Sequence, residues 1–210
     1  MSADLLWPVE VVSVGGDGMT AAERRALAVD DDLVESREMS SLPWQPAWSW
    51  YPLGLPHWGI AKAGEVPRVW FAGRPQGQER MVLQETVLAV GRRREALSPL
   101  TRANLDTLSA HVTLAVLTTP DCPRCAQAVR WAHAMALYQP KIVSVAIMLD
   151  ACWELTKSLK VASVPVIFIG CHRIDGIVDE WTLGQRVSAV GHQAAPLGET
   201  LEVTDHQREE

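Results

Sequence analysis

Apolar and polar positions along this chain switch between strand-like and helix-like periods, and the switches predict its elements. Residues 8–14 read as an apolar strand interrupted only by Glu10 and Ser13. Gly15-Gly16-Asp17-Gly18 is a turn, and Thr20 is placed to cap a helix from Ala21, with Glu23 completing a capping-box pattern. That helix is expected to end by Asp30-Asp31-Asp32, because acids at a helix C-terminus oppose its dipole. Residues 41–56 are too rich in proline for regular helix. Two short strands follow at 57–61 and 68–72, joined by a hairpin turn at Lys62-Ala63-Gly64-Glu65. A helix from Gln78 to Val90 puts Leu83, Val87 and Val90 on one face, and Gly91 is expected to stop it.

Ser98-Pro99 then supplies an N-cap followed by proline in the first helical turn. After that helix the pattern gives a strand at 112–117, a helix over Pro123–Tyr138 and a strand at 142–149. A short helix at 151–159, a strand at 165–169, a weak strand at 173–178 and a helix at 180–190 complete the chain. This β-α-β-α-β-β-α order repeats, more loosely, what residues 8–91 show.

Composition narrows the class. With 210 residues, 48% hydrophobic and 21% charged, the chain can bury a real core. No apolar stretch approaches the ~18–20 residues of a membrane helix, so no membrane partner is expected. Met1-Ser2-Ala3-Asp4 lacks the positive start and apolar core of a secretory signal, and a cytoplasmic location is expected. Most of the net charge of −6 lies in the acidic tail from Ala195, which reads as disordered. Arg92-Arg93-Arg94 is too short for a nucleic-acid footprint and reads as a solvated helix end. Of nine tryptophans, Trp44, Trp48, Trp50 and Trp58 crowd one stretch, as a docking surface or, the favoured reading, as packing.

Cys122-Pro123-Arg124-Cys125 carries the evident chemistry. It lies between an apolar strand and a helix, so Cys122 falls at a helix N-terminus. Unpaired N–H groups and the positive end of the dipole stabilise a thiolate there. Cys125, one turn further in, is near enough to resolve a mixed disulfide formed by Cys122. Arg124 favours the thiolate, Asp121 opposes it, and Pro123 limits the freedom of the loop. A C-x-x-C is also half of a zinc knuckle, and an inert buried pair is a third reading. Cys152, Cys171, His172, His133 and His111 are the other candidate ligands, but none makes a second C-x-x-C and adjacent Cys171-His172 bite poorly on a tetrahedral metal. Cys152, at the start of the 151–159 helix, and Cys171 read as packing residues, and His133 as a surface or satisfied histidine.

With Val164-Pro165 downstream, this set resembles the thioredoxin superfamily. The resemblance implies a cis Val164–Pro165 bond whose backbone receives an extended substrate peptide beside Cys122. Phe71-Ala72-Gly73-Arg74-Pro75-Gln76-Gly77-Gln78-Glu79 is similar to a segment of one group within it. That group comprises the N-terminal domain of the alkyl hydroperoxide reductase flavoprotein and the tandem, glutaredoxin-like protein disulfide oxidoreductases. The resemblance implies an α/β chain of two fused thioredoxin-like folds, each a central mixed β-sheet flanked by helices. Residues 1–96 would be a degenerate fold without a cysteine pair, 97–192 the fold with the C-x-x-C, and 193–210 a tail. Pro56 would be the vestigial counterpart of Pro165. The implied function is a dithiol–disulfide relay in which Cys122 attacks, Cys125 resolves and Val164 and Pro165 hold the substrate, a protein disulfide of peroxiredoxin type. Asp121, Pro123 and Arg124 would modulate it, with no cofactor beyond the Cys122–Cys125 disulfide and no metal. The flavin and nicotinamide domains of the flavoprotein are absent, so a separate flavoprotein reductase would be the donor. Residues 111–117 lack the buried carboxylate that many thioredoxins hold there, so proton handling is expected to differ. The alternative is a non-catalytic binding or chaperone module that uses the tryptophan-rich segment.

Overall fold

The apolar runs become strands β1 (Val9–Val14), β2 (Val34–Met39), β3 (His57–Lys62) and β4 (Val69–Ala72) in the first half. In the second half they become β5 (Val112–Thr118), β6 (Ile142–Met148), β7 (Val166–Ile169) and β8 (His172–Asp175). The helices are α1 (Gly77–Arg92), α2 (Pro99–Asp106), α3 (Pro123–Tyr138), α4 (Glu154–Ser158) and α5 (Glu180–Gln193). This computed structural model describes residues 5–15, 19, 20, 22, 23, 27 and 33–193. The expected helix end at residues 30–32 and the acidic tail lie outside the described residues.

The strands form one sheet in the order β2-β1-β3-β4-β6-β5-β7-β8. Each half has the same plan. In the first, β1 pairs parallel with β2 and antiparallel with β3, which turns back to β4. In the second, β5 pairs parallel with β6 and antiparallel with β7, which turns back to β8. The halves join where β4 and β6 run parallel, from Val69 opposite Ser144 to Ala72 opposite Ile147. The internal repeat is thus a repeat of topology.

Helices α1, α2, α3 and α5 cover one face through Val82, Val87, Leu105, Val129, Met135, Leu183 and their neighbours. The opposite face is covered differently. In the second half the β6–β7 crossover lays Leu155, Leu159 and Val161, around short α4, over Val145, Ile147 and Val166. In the first half the β2–β3 crossover is the Trp/Pro-rich stretch, where proline excludes helix and rings do the covering. Trp48 is buried, stacks with Trp50 and Tyr51, meets Phe168 of β7 edge-on and donates its indole N–H to the Gly170 carbonyl at 2.6 Å. Strand β7 lies four strands from β3 in the sheet, roughly 19 Å at the usual spacing. The stretch is therefore a strap from one half to the other, which agrees with the packing reading. Trp58 faces the other way, into the helical core under Arg74.

Several expectations are corrected. Helix α1 does not stop at Gly91. It runs on to Arg92 and ends on Arg93 in the left-handed conformation, φ 49°. Gly91 serves a close approach instead, since a Cβ there would sit 2.6 Å from Leu5 Cδ2, and its carbonyl accepts the Leu6 and Trp7 N–H groups. Strand β2 was not expected; it is an edge strand whose Glu35, Arg37 and Glu38 face outward, so its sequence lacks an apolar run. The 151–159 helix is shorter, a 3-10 turn at Leu149–Ala151 followed by α4. The Thr20 cap is as expected: Glu23 N–H donates to Thr20 Oγ1 at 3.1 Å, and Thr20 N–H to Glu23 Oε2 at 2.8 Å.

If the strap is packing, Trp48→Ala should cost about 3–5 kcal/mol in urea denaturation of the oxidised protein. A docking role for Trp48 would leave stability within about 0.5 kcal/mol of wild type.

Candidate active site

Strand β5 delivers the chain to the motif. Thr118 ends the strand, Cys122 N–H donates to the Thr119 carbonyl, and Cys122 then caps α3 with Pro123 in the first turn. Its Sγ accepts the Cys125 N–H at 3.1 Å, so one orphan donor of the helix already points at the sulfur. Cys122 and Cys125 are joined as a disulfide with their Cα atoms 5.2 Å apart. Cys122 is half-buried and Cys125 fully buried. Asp121, Pro123 and Arg124 are exposed around the outer sulfur.

The sheet brings the downstream proline to the same place. Leu117 of β5 lies opposite Val166 of β7, so Val164 and Pro165 enter β7 at the end where β5 exits towards Cys122. The Val164–Pro165 peptide bond is cis, Pro165 is buried, and its carbonyl accepts the Gly176 N–H at 2.9 Å. In the first half Pro56 likewise immediately precedes its strand, β3, but the Leu55–Pro56 bond is not cis. After β1, Thr20 Oγ1 accepts the Glu23 N–H, and no cysteine precedes Cys122 in the sequence.

Sequence reasoning missed one group. Helix α1, from the first half, begins against the loop before the motif. Its Gln78 N–H donates to the Pro120 carbonyl at 2.8 Å, and a Cβ on Gly77 (φ 52°) would lie 2.3 Å from that oxygen, so glycine is needed there. This docking sinks Glu79 completely, where its Oε1 accepts a bond from the Thr118 hydroxyl and its Oε2 has no partner. Burial pushes the Glu79 carboxyl up, against the pull of the Thr118 bond, and the charges of Asp150 and Asp121 push it further. The expectation that residues 111–117 hold no acid stands, and a buried acid from the first half lies against Thr118, at the end of the strand that leads to the motif. The signal was in plain sight, a glutamate in the first turn of a helix, two residues after a glycine.

The remaining candidates have partners of their own or lie at the far end of β7. Cys152 follows the 3-10 turn rather than starting a helix. Its thiol donates to the Met148 carbonyl at 3.2 Å, and burial raises its pKa to about 11, so it is a thiol at neutral pH. Cys171 is exposed, which corrects its reading as a packing residue, and with His172 it lies at the opposite end of β7 from Pro165. His133 is buried rather than superficial. Its Nδ1 pairs with Ser144 Oγ at 2.9 Å, Phe71 meets it edge-on, and burial lowers its pKa to about 3. Among the described residues no cluster of three or more His, Cys, Asp or Glu side chains is arranged to hold a metal ion, and no helix is long and apolar enough to cross a membrane.

No protein-family profile matches the sequence, and no curated protein sequence matches it. Solved structures do. The N-terminal domain of the alkyl hydroperoxide reductase AhpF from Enterococcus faecalis superposes with a TM-score of 0.71 at 17% identity, over 87% of this chain and 92% of that one. A protein disulfide oxidoreductase from Aeropyrum pernix does so with a TM-score of 0.69 at 21% identity, over 90% and 88%. Sequence identities this low speak to architecture, and the likeness in architecture spans both halves of this chain. The chain has a doubled thioredoxin-like fold, two fused units of which only the second carries a C-x-x-C.

Proposed function

We propose that this protein is a thiol–disulfide oxidoreductase that relays electrons from a reductase to a protein disulfide. The observation that carries the reading is the asymmetry of the pair: a half-exposed sulfur on a helix N-terminus bonded to a fully buried one. In the reduced protein the Cys122 thiolate attacks one sulfur of a substrate disulfide and expels the other as a thiolate, which takes a proton. Val164 and Pro165 hold the substrate chain beside it. Cys125 then gives up its proton and attacks Cys122 Sγ, which re-forms the internal disulfide and releases the second substrate thiol. Two electrons and two protons from a donor, a flavoprotein reductase in this reading, restore the dithiol.

Glu79 suits the proton step. A carboxyl that burial raises above the ordinary carboxylate range, and that lacks a partner on one oxygen, holds a proton more readily than a surface carboxylate does. Asp121 and Arg124 set opposing charges outside, and Pro123 stiffens the loop. Reduction of a peroxiredoxin-type disulfide is the specific substrate proposed. The binding-module alternative finds less support, because Trp48 and Trp58 are buried in the two cores.

With dithiothreitol as donor, the wild type should accelerate reduction of insulin or of a peroxiredoxin disulfide. Cys122→Ser should fall to background, and Cys125→Ser should accumulate a mixed disulfide visible on a non-reducing gel. Full activity in Cys122→Ser would overturn the assignment. Glu79→Gln should slow turnover by about a hundredfold, the low end for loss of a general acid–base group.

Glu79 also gives a stability signature. A carboxyl whose folded pKa lies above its unfolded value of about 4.3 binds the extra proton in the native state, so stability is greatest below that pH and is lost as pH rises through the folded value. Thermal unfolding of the oxidised protein should show this loss, and Glu79→Gln should flatten it and be the more stable form at pH 8.

A further inference from the structure

On the helical face, beside the β4–β6 junction, helices α1 and α3 leave a crevice of two adjoining chambers that share Ala89, Arg94, Glu95 and Leu137 as walls. One, of about 300 Å³, is polar and sets Lys62, Arg68, Arg93 and Arg94 against Glu65 and Glu95. The other, of about 390 Å³, is lined mainly by apolar groups, among them Val82, Leu88 and Ala134, with His133 in its wall. Volumes of this order suit a small organic ligand.

Two donors here are unused. Arg68 Nη1 and His133 Nε2 are both shielded from bulk water and have no hydrogen-bond partner. One network holds them in place. The Arg68 carbonyl accepts the Ser144 N–H at 2.8 Å, the Ser144 hydroxyl pairs with His133 Nδ1, and Arg68 Nη2 donates to the Leu137 carbonyl at 3.3 Å. With the Ser144 hydroxyl donating to Nδ1, the neutral ring carries its proton on Nε2, a donor like Arg68 Nη1. A buried unpaired donor is destabilising, so two on one crevice call for a partner. The nearby acids do not serve. Glu95 pairs with Arg102 at 3.2 Å, Glu65 leans to Arg93 at 3.8 Å and acts on Arg68 through its charge without a hydrogen bond, and Glu85 is held by Arg130. The polar chamber therefore keeps an excess of positive charge.

We propose that this crevice binds a small amphipathic carboxylate, its acid group on Arg68 and Arg94 and its apolar body between α1 and α3, with the His133 ring beside it. A bare phosphate leaves the apolar chamber empty, and a neutral apolar molecule leaves the cations uncompensated. The ligand touches one helix from each half, independently of the cysteine pair, so it stabilises the joined form by mass action.

The test uses the purified full chain and decanoate below its micelle concentration, with decanol and inorganic phosphate alongside, read by calorimetric titration and thermal unfolding. Decanoate should bind saturably and raise Tm, with both controls weaker by about tenfold or more. Arg68→Gln should weaken decanoate by about tenfold. Since that change also loses the bond to Leu137, Ala89→Phe on the half-exposed shared wall is the second variant. It should abolish binding while dithiol activity stays at the wild-type level. Failure of decanoate to bind at millimolar concentration, equal binding of decanol or phosphate, or unchanged affinity in both variants would overturn the proposal.

Discussion

The parallel pairing of β4 with β6 is the contact on which the rest depends. Each half alone would end in an open strand, β4 in one and β6 in the other, with a row of unpaired N–H and C=O groups. Pairing Val69–Ala72 with Ser144–Ile147 closes both edges at once and fixes the register of the halves. That register sets α1 against Pro120, seats Glu79 beneath Thr118, lets Trp48 reach the β7–β8 turn and opens the crevice between α1 and α3. The first half holds no cysteine, yet it forms the supporting wall of the second.

Electrostatics matter here through burial rather than through number. The ion pairs among described residues, such as Arg173 with Asp175 and Arg74 with Glu23, are partly exposed, and pairs of that kind contribute about 0–1 kcal/mol each. Glu79 is different, because a fully buried carboxyl with one unpartnered oxygen is costly to ionise. Proteins keep such groups where chemistry needs a proton held ready. The acid comes from a helix of the first half and lies against Thr118 of the second, so the surroundings of the proposed relay site are a joint property of both halves.

Local signals in the sequence carried most of the second half. Pro123–Tyr138 has its helix at the expected ends because proline, a capping side chain and an apolar face agree there. Ser98 caps α2 for the same kind of reason, accepting the Thr101 N–H. What escaped was set by distant contacts. Strand β2 exposes a charged face at the edge of the sheet and shows no apolar run. The burial of Glu79 depends on β4–β6 register, which no local pattern encodes. Gly91 looks like a helix stop, but the approach of Leu5 explains it better. The tryptophan strap was legible as non-helical, while its reach across the junction was not.

The central claim is that Cys122 and Cys125 form a reversible dithiol–disulfide couple tuned by a buried acid from the other half. The direct test is a redox titration of the full chain in glutathione or dithiothreitol buffers, quenched by alkylation and read by mass. The account predicts one two-electron transition of ~30 mV per tenfold change in the ratio of oxidised to reduced protein. It also predicts that this transition is confined to Cys122 and Cys125, with a potential whose pH dependence changes in Glu79→Gln. A pair that shows no reversible transition, or a pH dependence identical in the variant, would contradict it.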